Sequence, residues 1–243
     1  MSVLAAIAYW ALESRAAKRY ELGPQSGTDK IVWKDLLKFS ASYWWVVALC
    51  MVFYSGIFPF QTFAQKFFQD AHRASADTAA WLVGMLTVFA MVATPLFGLM
   101  VDRVGKRSLL MMLGSLLLVP VYLLMGYTRI NLIVPMALMG TAFSLIPAVM
   151  WPSVAYIVPE ERLGTAYGLM TLIQNVGLAG FNLLVGWAND HGQASATHPE
   201  GYRLGMWCFS ILGIIAFVCA LMLRRNERGP SAHGLETITS KSS

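Results

Sequence analysis

Residues 98–127 read GLMVDRVGKRSLLMMLGSLLLVPVYLLMGY, and their division into a charged turn and an uncharged rod decides the fold. Asp102, Arg103, Lys106 and Arg107 crowd into one short stretch, while residues 108–127 contain no Asp, Glu, Lys or Arg. About 20 residues of helix span the ~30 Å hydrocarbon core of a bilayer. A Lys, Arg or Asp at the centre of that layer costs about 2.5–3.5 kcal/mol on insertion scales, so the charges mark where the chain leaves the membrane.

The same alternation extends in both directions. Six apolar segments stand at about 40–65, 80–101, 108–127, 131–157, 164–188 and 204–223, and none of the 31 Lys, Arg, Asp and Glu side chains falls deep inside one. Only 13% of residues are charged and 57% are hydrophobic, whereas a soluble domain carries about 25% charged residues. The expected fold is an all-α membrane protein, a six-transmembrane-helix bundle. Fourteen of the 18 Lys and Arg residues fall on the side where the first segment starts. The other side holds Lys66, Arg73, Arg129 and Arg203. The positive-inside rule then makes both ends cytoplasmic in a multi-pass protein. The net charge of +5 is a topology signal on this reading, and no nucleic-acid partner is expected. Cys50, Cys208 and Cys219 lie within apolar runs, so neither a disulfide framework nor a metal site is expected, and no cofactor motif stands out.

Four regions follow. Residues 1–12 are apolar but too short to cross and read as the end of a truncated transmembrane helix. Residues 13–39 form a polar cytoplasmic linker, in which Lys30, Lys34 and Lys38 recur at helical spacing and suit a surface helix on anionic lipid. Residues 40–224 hold the six spans, and residues 225–243 form a Ser/Thr-rich tail expected to be disordered. Proline removes a backbone hydrogen bond, and neighbouring helices satisfy the freed carbonyl in a membrane. Pro59, Pro147 and Pro152 are therefore candidate hinges, and the cluster Pro147, Pro152 and Pro159 suggests a broken or hinged span.

The turn at residues 98–108 has the pattern G-x-x-x-D-R-x-G-K-R, which resembles the cytoplasmic signature loop of the major facilitator superfamily of secondary transporters. The resemblance implies two six-helix halves, each a 3+3 inverted repeat, with substrate held near the midplane between them. This chain then corresponds to a carboxy-terminal half, whose partner is a missing amino-terminal half or another chain. Gly98 would let helices approach closely and Gly105 would permit the tight turn. Asp102 with Arg103, Lys106 and Arg107 would form a conformational latch.

A narrower resemblance lies further along. Residues 151–160 (WPSVAYIVPE), 163–168 (LGTAYG) and 173–179 (IQNVGLA), with Phe58-Pro59-Phe60 after Tyr54, look like a branch of lysosomal dipeptide uniporters and their prokaryotic relatives. It covers about residues 44–224 and implies uncoupled transport of a small, dipeptide-like solute. It implies a lysosomal membrane and an accessory subunit if the source is animal, and the plasma (inner) membrane if it is prokaryotic.

Helical geometry points independently to a polar path. At 100° per residue, Tyr167, Gly168, Thr171, Asn175, Asn182 and Asn189 share a stripe about 100° wide, with Gln174 beside it. Polar groups on a membrane helix face a cavity or another helix, where each bond is worth about 0.6 kcal/mol. Tyr54 and Gln61 project from the first span, and Trp151 either orients a substrate or packs in the core. The candidate substrate-binding residues are thus Tyr54, Gln61, Trp151, Thr171, Gln174, Asn175 and Asn182. The stripe Gly84, Thr87, Met91, Thr94 and Gly98 on the second span reads as a helix contact.

The sequence also bears on two other function classes. An integral-membrane enzyme needs a nucleophile, metal ligands or paired carboxylates at the membrane border, and no such cluster stands out. A half-bundle that pairs with another chain without transporting remains open. So does proton coupling through a carboxylate in the other half, because every carboxylate here lies outside the spans or at their rims.

Overall fold

The computed structural model describes residues 39–230 and 232–239, and the readings for residues 1–38 and 240–243 lie outside them. Six helices account for the bundle: α1 Ala41–His72, α2 Ala76–Val104, α3 Arg107–Tyr127, α4 Ile133–Ile157, α5 Leu163–His191 and α6 Arg203–Asn226. Each is long and apolar enough to cross a membrane. The helices overrun the apolar segments at their polar ends because capping chemistry, not hydropathy, sets where a helix stops. Ser40 starts α1 by accepting the Tyr43 amide at 3.4 Å, and Ser75 starts α2 by accepting the Thr78 amide at 3.2 Å. At the far end of α1, Phe67 and Phe68 are buried, so packing carries the helix past Lys66 to His72.

The packing pattern has an internal symmetry. Helix α1 packs on α5 and α6, α4 packs on α2 and α3, and α3 packs on α6. Exchanging α1 with α4, α2 with α5 and α3 with α6 leaves that pattern unchanged. Odd-numbered connections also fall opposite even-numbered ones, so the exchange reverses direction across the membrane. This is a 3+3 inverted repeat.

Helix α1 carries the centre of the core. Phe60 meets Tyr122 of α3 at 5.4 Å and Phe209 of α6 at 5.7 Å, edge to face. Tyr122 donates its hydroxyl to the Gly56 carbonyl across the same junction. Close approach elsewhere depends on missing side chains. A Cβ on Gly140 of α4 would lie 2.9 Å from Phe89 of α2, and one on Gly213 of α6 would lie 3.1 Å from Val119 of α3.

The structure bears on three sequence expectations. Helix α4 runs without interruption through Pro147 and Pro152, so that span is not broken. The prolines free the Phe143 and Ala148 carbonyls, while Ser144 and Ser153 add hydroxyl bonds to the neighbouring Gly140 and Val149 carbonyls at 2.7 Å. The small-residue stripe on α2 makes no close contact inside this chain, since a Cβ on Gly84 or Gly98 would meet nothing within 4 Å and Met91 is 76% exposed. The described part of the tail packs back on the bundle: α6 continues to Asn226, and Leu235 is fully buried.

Candidate functional site

The aromatic residues of α1, α4 and α5 converge on one face. The Trp151 indole donates from Nε1 to the Tyr54 hydroxyl at 2.9 Å, joining α4 to α1. Tyr167 of α5 stacks on Trp151 with centroids 5.9 Å apart and donates its hydroxyl to the Trp151 carbonyl at 3.0 Å. Phe58 stacks on Tyr54 at 5.4 Å, and Phe143 stands edge-on to both. The Tyr54 oxygen accepts from Trp151, which leaves its own proton free to donate. Tyr54 at the centre of the cluster is buried, while Trp151, Tyr167, Phe58 and Phe143 around it retain partial exposure.

The structure brings Tyr54 and Trp151 together but treats the amides differently. Gln174 accepts from the Cys50 thiol at 3.3 Å, so it helps join α5 to α1. Asn175 donates to the Thr171 carbonyl at 2.8 Å and Asn182 to the Leu178 carbonyl at 2.9 Å, both within α5. Thr171 and Asn175 are exposed, and Gln61 is half-buried with no side-chain bond among the described residues. Asn175 and Asn182 therefore bond only their own helix, and no hydrogen bond among the described residues joins them or Thr171 to the aromatic cluster. Sequence reasoning missed Phe143, because a phenylalanine inside an apolar span carries no distinguishing signal.

No Asp, Glu, Lys or Arg lies on α1, α4 or α5 within residues 41–65, 133–157 or 163–189. The face offers hydroxyls, an indole edge, amides and aromatic planes. It can hold a polar solute by neutral hydrogen bonds and ring contact, and it supplies no titratable carboxylate.

At one end of the bundle, the α2–α3 turn follows the pattern of its residue types. Gly105 takes φ 65°, and Lys106 takes φ 47°, so two successive left-handed residues reverse the chain. Arg107 pairs with Asp102 at 3.1 Å, and its guanidinium lies 4.9 Å from the Tyr156 ring centre at the end of α4. Arg107 is only 2% exposed, yet its Nε and Nη1 have no partner among the described residues. Arg103 and Lys106 point outward and do not join the pair.

The model of the Major Facilitator Superfamily matches residues 43–241. The chain belongs to this superfamily. The superfamily is one of membrane transporters rather than enzymes, and the six apolar helices of this chain correspond to one of its two six-helix bundles. Among curated proteins it is 32% identical to the lysosomal dipeptide transporter MFSD1 of Mus musculus over 94% of this chain and 48% of the relative. It is 30% identical to the same-named protein of Homo sapiens over 78% of this chain and 41% of the relative. The alpha-ketoglutarate permease of Escherichia coli (strain K12) is 22% identical over 94% of this chain. The chain spans about half the length of the curated relatives it matches.

Proposed function

We propose that this chain forms the carboxy-terminal half of a carrier for dipeptides, working by uncoupled alternating access with both of its ends in the cytoplasm. The observation that carries this reading is the open, charge-free face of α1, α4 and α5, where Tyr54 keeps a free donor and Trp151, Tyr167 and the α5 amides stand beside it. A peptide bond and apolar side chains suit such a lining. The absence of any carboxylate on it favours uniport over proton coupling in this half.

The other half would cover α2 and α5. These two helices exchange places in the repeat, and both carry small-residue stripes with open space beside them: Gly84 and Gly98 on α2, Gly164, Gly168 and Gly180 on α5. Small residues at such stripes let helices from a second bundle approach closely. Pro59, Pro147 and Pro152 are the proposed bending points as the halves rock, and the turn with Gly98, Asp102, Arg103, Gly105, Lys106 and Arg107 is the proposed latch. The membrane is proposed to be lysosomal or plasma membrane according to source, and an accessory subunit rests on family resemblance alone.

The test is dipeptide uptake into proteoliposomes by the chain combined with its amino-terminal half. Asn175→Leu keeps the α5 helix, since that amide bonds only its own backbone, and should slow uptake severalfold. Trp151→Phe removes one hydrogen bond worth about 1 kcal/mol, which is about fivefold if it is used in transport. Unchanged uptake in both variants would overturn the assignment of this face.

A further inference from the structure

Helix α3 begins without a side-chain cap, because Lys106 at its N-cap position makes none. Its first amides are satisfied from an unexpected direction. The Lys106 amide donates to the Glu236 carbonyl at 3.3 Å, and the Arg107 amide donates to the Leu235 carbonyl at 3.1 Å. The Ser108 hydroxyl donates to the Glu236 carboxylate. A Cβ on Gly105 would lie 3.2 Å from the Ile238 carbonyl, so the tail follows the turn closely. Four amides at a helix start need acceptors, and a chain segment more than 120 residues away supplies them for two, those of Lys106 and Arg107.

The other end of the same segment is anchored just as firmly. The Glu227 side chain is fully buried and accepts the Ser42 hydroxyl at 2.6 Å, the His233 ring Nδ1 at 2.9 Å and the His233 amide at 2.9 Å. The Leu235 amide reaches the same carboxylate at 3.4 Å, and the Leu235 side chain is fully buried. One short stretch therefore touches the end of α6, the start of α1 and the start of α3.

We propose that residues 227–230 and 232–239 act as an in-cis clasp: they occupy a docking groove between the ends of α1, α3 and α6, cap α3 and fix the turn that carries Asp102 and Arg107. The device is independent of which solute is carried.

Hydrogen–deuterium exchange of the full chain in lipid nanodiscs tests it. The amides of Lys106 and Arg107 should exchange slowly in the full chain and at least tenfold faster in a chain ending at Arg228. Amides in the middle of α3, around Leu117 to Val121, should keep their protection in both. A point variant in the full chain, Leu235→Asp, should reproduce the truncation by removing the buried anchor. Equal rates for Lys106 and Arg107 in the full and shortened chains would overturn the clasp. Loss of protection along the whole of α3 would also overturn it, since it would show a general packing role instead of a local cap.

Discussion

Arg107 shows how one residue can be legible in type and illegible in setting. Its place after Gly105 and Lys106 marks a turn at the membrane border, but nothing in the sequence indicates that its guanidinium is 2% exposed between Asp102 and Tyr156. Burial changes the expected cost of its neighbours. Asp102→Asn removes the only charged partner among the described residues and leaves a buried cation, which costs about 3–5 kcal/mol when both partners are buried. Asp102 is 58% exposed, so solvent screens the pair and a loss of about 1–2 kcal/mol is expected here. Detergent-denaturation midpoints should place Asp102→Asn below the double variant Asp102→Asn/Arg107→Met, because the latter leaves no unpaired charge. The reverse order would show that the pair does not stabilise the turn. Trp151 was equally ambiguous between packing and function in sequence, and the structure gives it both a stack and a bond to Tyr54.

At the scale of elements, hydropathy located all six helices because an uncharged run long enough to span lipid has few alternatives. It did not locate their ends, which depend on Ser40, Ser75 and buried Phe67 and Phe68. Nor did it separate glycines that pack within the bundle from those that do not. Gly140 faces the Phe89 ring at a distance a methyl cannot share, so Gly140→Ala should destabilise by about 1–3 kcal/mol. Gly98→Ala meets open space and should leave the stability of this chain within about 0.5 kcal/mol. Unfolding of the two variants in matched micelles checks the contrast, and equal losses would contradict the packing described. The tail escaped the sequence reading because its anchors are single residues, Glu227 and Leu235, in an otherwise polar segment.

The clasp carries a pH dependence with a definite sign. Burial pushes the Glu227 carboxyl up, but the Ser42 hydroxyl and the His233 ring and amide outweigh burial and hold it below the usual carboxylate range. A group held low in the folded state stabilises above its unfolded pKa, and that contribution is lost as pH falls through the folded value. Tail protection should therefore be flat from neutral pH down to the ordinary carboxylate range and collapse only below it. Exchange at the Leu235 amide measured across that range checks the point. Loss of protection already near neutral pH would contradict it.

For the whole molecule, the repeat symmetry and the open faces of α2 and α5 are, on the proposed reading, those of one half of a carrier. On that reading a single half-bundle encloses no cavity with two alternately open ends, and transport needs both halves. The most direct measurement is counterflow of a labelled dipeptide into vesicles preloaded with unlabelled dipeptide, at equal pH inside and out. The chain reconstituted with its amino-terminal half should accumulate label transiently without any proton gradient, and the chain alone should give none. Counterflow by the chain alone, or label entry by the two halves only when a proton gradient is imposed, would contradict the account.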